Sequence, residues 1–136
     1  MQRNIRALVV KPYELPEEKM IKNSLEAKQE IVEGYIEYAY MLDDPSVVLI
    51  CNEEGKLEGK SLNRDIGHDI IAGTFIIAGD NDTGEDRSLT DDQIKKYQQR
   101  FNEKSITDTD AKINEIYCKK ITSLIEKECE IWWIKQ

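Results

Sequence analysis

The chain predicts an α+β fold: a small mixed or antiparallel sheet, two to three helices, and a C-terminal helix-strand extension. Three observations carry this. Aliphatic runs of strand length recur at Arg6 to Val10, Val47 to Cys51 and Asp69 to Ile77. Apolar stripes at helical spacing lie between and after them. Turn residues punctuate the changes of period.

Taken in order, Arg6 to Val10 reads as a strand closed by Lys11-Pro12, because proline has no N–H to continue a ladder. Asn23 with Glu26 three residues later reads as a capping-box variant. It opens a helix with Leu25, Ile31 and Val32 as its apolar stripe and Gly34 as its stop. Tyr35 to Met41 alternates like a strand with aromatics on one face, and Asp43-Asp44-Pro45 reads as a turn. Val47 to Cys51 is a buried-type strand. The following Asn52-Glu53-Glu54-Gly55-Lys56 reads as a hairpin-like turn with Gly55 at positive φ and Leu57 starting the return. Asp69 to Ile77 resumes strand character, with Gly73 marking a bulge or a close approach.

Gly79 to Asp86 is an acidic loop, and Thr90 with Gln93 forms a second capping box. It opens a helix whose Ile94, Tyr97 and Phe101 share a face. Another helical stripe runs from about Asp108 to Lys127, and Ile131-Trp132-Trp133-Ile134 closes the chain as a short apolar strand that must pack on something. The organisation expected is a core over residues 1–101 and an extension over 102–136, in one structural unit.

At 136 residues, the chain is one domain in size and large enough for a core without disulfides. Its three cysteines are widely spaced, which points to free thiols and an intracellular, cytoplasmic setting. No apolar run approaches the roughly 18 to 20 residues that span a bilayer. The net charge of -8 argues against direct nucleic-acid binding, which needs a basic face.

Chemistry-bearing patterns are sparse. His68 is the single histidine, and its neighbours Gly67 and Asp69 place it on a loop or strand edge, away from any triad pattern. The three cysteines and His68 have no zinc-site spacing, and no metal or cofactor is expected. The loop from Asp80 looks like a calcium loop but has Glu85 and Asp91 where glycine and a bidentate glutamate belong. Neither a dinucleotide-binding glycine pattern nor a phosphate-loop lysine is present. The densest polar cluster lies at Asn52, Lys56, Asn63 and Arg64, beside Thr74-Phe75, and with Tyr35 these are the expected ligand-binding residues.

The segments Ile5 to Val10, Leu25-Glu26-Ala27, Gly34 to Glu37, Ile50 to Leu57, Asn63-Arg64, Asp69 to Phe75 and Ser88 to Gln93 together resemble a domain-of-unknown-function family of small proteins from phages, plasmids and conjugative elements of Gram-positive bacteria. The resemblance covers residues 3 to about 101 and implies an α+β unit without an established enzymatic activity. It makes counter-defence the expected role of a non-enzymatic, homo-oligomeric protein. Two modes follow. In one, the protein sequesters a small nucleotide immune signal: Tyr35 and Phe75 stack, Asn63 reads a base edge, Arg64 and Lys56 hold phosphate, and Trp132-Trp133 builds an intersubunit interface. In the other, an acidic inhibitor or DNA mimic presents Asp80, Asp82, Glu85, Asp86, Asp91 and Asp92 to a basic groove of a host nuclease or defence effector.

Overall fold

A computed structural model describes residues 3–81 and 83–103. Seven strands and two helices follow one another in these residues: β1 (Asn4–Val10), β2 (Glu17–Lys22), α1 (Leu25–Val32), β3 (Ile36–Met41), β4 (Asp44–Asn52), β5 (Leu62–Asp65), β6 (Ile70–Ala72), β7 (Phe75–Gly79) and α2 (Asp91–Arg100). Five strands form one sheet in the order β2-β1-β7-β4-β3, with every pairing antiparallel. β5 and β6 form a separate two-stranded antiparallel sheet. The α+β expectation holds, with an antiparallel main sheet. The expected helix over about Asp108 to Lys127 and the Ile131 to Ile134 strand lie outside the described residues, as does Asp82.

The continuous apolar runs of β1, β4 and β7 are explained by burial on both sides of the sheet. Odd residues of β1 and even residues of β4 and β7 face one side, where Ala7, Val9, Val48, Ile50, Ile76 and Ala78 pack with Val32 of α1. On the other side Leu8, Val10, Val47, Leu49, Phe75 and Ile77 pack with Ile94 and Tyr97 of α2 and with Phe101. Strands between two helices have no wet face, so alternation disappears. The Phe101 ring stands edge-on to Phe75 at 5.8 Å and lies nearly parallel to Tyr97 at 6.1 Å, fixing α2 on the sheet.

The Thr90–Gln93 capping box forms as expected. At α1 the cap is Ser24, whose hydroxyl accepts from the Ala27 N–H, one residue later than the expected Asn23. The expected stripe is also altered: Leu25 is exposed, and Lys28 turns inward beside Val32. Its ammonium donates to Asp86 at 2.5 Å and to Asn23 at 2.8 Å, and the Tyr38 hydroxyl donates to the same carboxylate. A buried cation with two oxygen partners is tolerated where an unpaired one is not. Burial, reinforced by the Asp86 charge, pushes the Tyr38 hydroxyl up to about 12.

Three turn expectations are corrected. The β3–β4 turn is Leu42-Asp43 rather than Asp43 to Pro45, so β4 already runs through Asp44 and Pro45. Leu57 lies exposed within the turn, and the return strand starts at Leu62. The stretch from Asp69 to Ile77 is two strands in two different sheets, because Gly73 at φ 82° redirects the chain between them.

Candidate functional site

A groove of about 360 Å³ opens on the α2 side of the main sheet at its β3 edge. Glu37, Ala39 and Cys51 supply the β3–β4 wall, the turn Glu53 to Leu57 one rim, and Ile66 with His68 to Ala72 the other. The turn closes on itself through Glu58 N–H to Glu54 C=O at 2.8 Å and Lys60 N–H to Gly55 C=O at 2.9 Å. Gly55 does not take positive φ. A Cβ there would meet the Ala72 carbonyl oxygen at 2.6 Å, so the turn lies against β6 only because this residue has no side chain. Lys56 Nζ reaches Asp69 Oδ1 at 2.5 Å, tying the two rims together in an exposed ion pair. Burial raises the Asp69 carboxyl, but the bonds from Lys56 and the Ile70 N–H outweigh it and leave it below the ordinary range.

Cys51 lies at the floor. Its thiol donates to the Glu37 carbonyl at 3.5 Å, and burial, with Glu37 and Asp69 nearby, pushes it up to about 11. At neutral pH it is therefore a thiol, and thiols are poor nucleophiles. His68, the one histidine, sits exposed on the rim.

The expected ligand residues do not converge. Lys56 and Asn52 border this groove, and Thr74 borders a separate cavity of about 180 Å³ with Lys60, Glu33 and Pro12. Asn52 is a buried latch: Nδ2 donates to the Val32 and Glu33 carbonyls at 3.2 Å each, and Oδ1 accepts from the Glu54 N–H at 2.8 Å. It also explains Gly34, where a Cβ would sit 2.6 Å from the Asn52 amide. Glu33 rather than Gly34 takes the left-handed conformation that ends α1.

Asn63 is wholly buried and donates to the Val10 and Gly73 carbonyls at 2.8 and 2.9 Å. Its side-chain oxygen accepts from Arg64 Nη1 at 2.7 Å. Arg64 also donates to the Phe101 carbonyl through Nε and Nη2, and to the Glu14 carbonyl at 2.6 Å. The guanidinium thus caps the carbonyl end of α2 and pins the β1–β2 connection, and burial lowers its pKa. Phe75 has no exposed surface, while Tyr35 is largely exposed and contributes its carbonyl to the Glu53 N–H.

Of the acidic set expected on an inhibitory surface, Asp86 is buried against Lys28 and Asp91 is paired with Arg6 at 2.5 Å. Glu85 and Asp92 are exposed, and Asp80 is half-buried. Sequence reasoning missed Glu37, Ala39, Glu53, Glu54 and Asp69 as groove residues. The two-residue period of β3 carries that signal, since it places Glu37 and Ala39 opposite the tyrosines. Among the described residues no cluster of His, Cys, Asp and Glu is arranged to hold a metal, and no helix is long and apolar enough to cross a membrane.

An α+β domain with a two-sided antiparallel sheet and an edge groove is the class this geometry defines. Residues 5–102 match the family model of a domain of unknown function, DUF3846, and the chain belongs to that family. The match fits the domain-of-unknown-function resemblance over nearly the same residues. No curated protein and no solved structure matches the chain.

Proposed function

We propose that the protein works by binding rather than by turnover, and that the edge groove receives a positively charged segment of a partner protein. One observation carries this reading. Four carboxylates, Glu37, Glu53, Glu54 and Asp69, line the groove against a single lysine, Lys56, already paired with Asp69. A phosphate-bearing ligand would meet net repulsion there, whereas Lys or Arg side chains would find acceptors above an apolar floor of Ala39, Ile66 and Ile71. The volume lies near the small end of ligand sites, about 300 to 1,000 Å³, enough for one or two side chains of a longer segment.

The reading favours the acidic-inhibitor mode over nucleotide sequestration, because Asn63, Arg64 and Phe75, which would recognise the nucleotide, are engaged inside the fold. It also relocates the acidic surface from the loop after β7 to the groove. In the setting implied by the motif resemblance, a phage or mobile element in a bacterial cytoplasm, the partner is a host defence protein whose basic surface is occupied.

Fluorescence anisotropy with a labelled Arg/Lys-rich peptide tests this. The expected result is binding that weakens severalfold between about 50 and 300 mM salt and is lost when Glu53→Lys and Glu54→Lys are combined. Peptide binding unaffected by that pair, or tight retention of a nucleotide in its place, overturns the reading.

A further inference from the structure

The two edges of the main sheet differ in kind. β2 carries Glu17, Glu18, Lys19 and Lys22 among its six residues, the charged dressing that keeps an edge from pairing. β3 carries one charge, Glu37, in Ile-Glu-Tyr-Ala-Tyr-Met, and among the described residues no strand pairs with its outer side. Four of the nine exposed large apolar side chains in the described residues, Tyr35, Tyr38, Tyr40 and Leu42, fall on this one strand and its flanks. That concentration singles out β3 as an edge built to be covered.

We infer that β3 pairs antiparallel with β3 of a second copy of this chain, extending the sheet across a two-fold axis at Ala39. The Tyr35 carbonyl accepts from Glu53 on the β4 side. Ladder alternation then turns the backbone groups of Ile36, Tyr38 and Tyr40 toward the open edge, available to another strand. The side chains select the register. Centring on Glu37 would oppose two carboxylates, and centring on Tyr40 would run the pairing past the end of β3 into the Leu42-Asp43 turn and leave one tyrosine pair. Centring on Tyr38 gives one tyrosine pair. Centring on Ala39 sets Tyr38 against Tyr40 twice and Glu37 against Met41 at the strand's end, so no like charges meet and the cross-strand aromatic pairs are doubled. A chain of net charge -8 meets its copy along its least charged edge. Because Glu37 and Ala39 also wall the groove, the same axis sets two grooves side by side on one face. The pairing itself does not depend on what the groove binds.

Sedimentation equilibrium of the full chain is the test. The expected species has twice the 15.8 kDa chain mass. Tyr40→Lys, which adds a charge to the edge, and Tyr40→Pro, which removes an outward donor without touching the β4 ladder, should each raise the dimer dissociation constant at least tenfold with unchanged circular dichroism. If the proline variant unfolds, the lysine variant decides. A monomeric wild type at about 100 μM, or a dimer indifferent to Tyr40→Lys, overturns the inference. The peptide test above reads Glu53 and Glu54, so either proposal fails without the other.

Discussion

Two polar clusters stand close together in the sequence and have opposite fates. Asn63-Arg64 is sealed inside, with bonds to the Gly73, Phe101 and Glu14 carbonyls and between its own two side chains, whereas Glu53 to Lys56 and Asp69 stay at the surface around a groove. The difference teaches that side-chain chemistry alone does not mark a ligand site. An Arg–Asn pair suited to a phosphate and a base edge is equally suited to the loose carbonyls at a helix end and a strand connection. Which use prevails depends on whether the strand bearing it is covered.

The sharpest way to break the comparison is Arg64→Ala. Removal leaves the Phe101 carbonyl and the Asn63 amide oxygen with lost partners in a buried place, each such loss costing about 1 to 3 kcal/mol, and frees the part-buried Glu14 carbonyl at smaller cost. A loss of about 3 kcal/mol or more in urea denaturation is expected, with Arg64→Lys recovering little because an ammonium cannot span three acceptors in one plane. A fully stable variant would return Arg64 to the list of residues kept for a ligand.

Much of the fold is legible from the residues. The strands at Arg6 to Val10 and Val47 to Cys51, the Thr90 capping box and the Ile94–Tyr97–Phe101 face are local patterns, and local patterns survive into the structure. What escapes depends on distant partners. Nothing near Lys28 in sequence announces Asp86, so an inward lysine reads as a surface one. The break at Gly73 separates two sheets whose pairing is decided elsewhere, and Gly55 and Gly34 are fixed by the approach of Ala72 and Asn52 rather than by turn geometry. The candidate site was found in part, because Asn52 to Lys56 marks a groove whose other wall comes from β3 and the β5–β6 connection.

A second, smaller effect concerns Asp44, the buried carboxylate that fastens β4 to α2. Burial raises its pKa, but bonds from the Ser46 and Tyr97 hydroxyls, Lys96 and the Ser46 N–H outweigh it and hold the carboxyl well below the usual range. The folded-state pKa lies below the unfolded one, so the stabilisation is present in full above about pH 4 and is lost as pH falls through the folded value. Asp44→Asn should cost about 1 to 2 kcal/mol at pH 7, and the gap between variant and wild type should shrink on titrating below pH 4. A gap independent of pH would show that the carboxylate's charge contributes nothing.

The smallest effect is expected at the rim, and there it discriminates most. Lys56 and Asp69 are each more than half exposed, so their ion pair, though short, is screened and costs side-chain freedom to hold. Lys56→Ala should therefore change stability by less than about 0.5 kcal/mol. It also removes the only lysine among the described residues that line a groove of four carboxylates, and releases Asp69 to accept from a ligand. Binding of the basic peptide should tighten by about threefold or more, a gain of one partly exposed charge contact. Arg64→Ala would weaken every property of the protein through its fold, whereas Lys56→Ala should strengthen one and leave the fold alone. If Lys56→Ala instead weakens peptide binding at unchanged stability, the bridge between the rims shapes the groove more than its charge does.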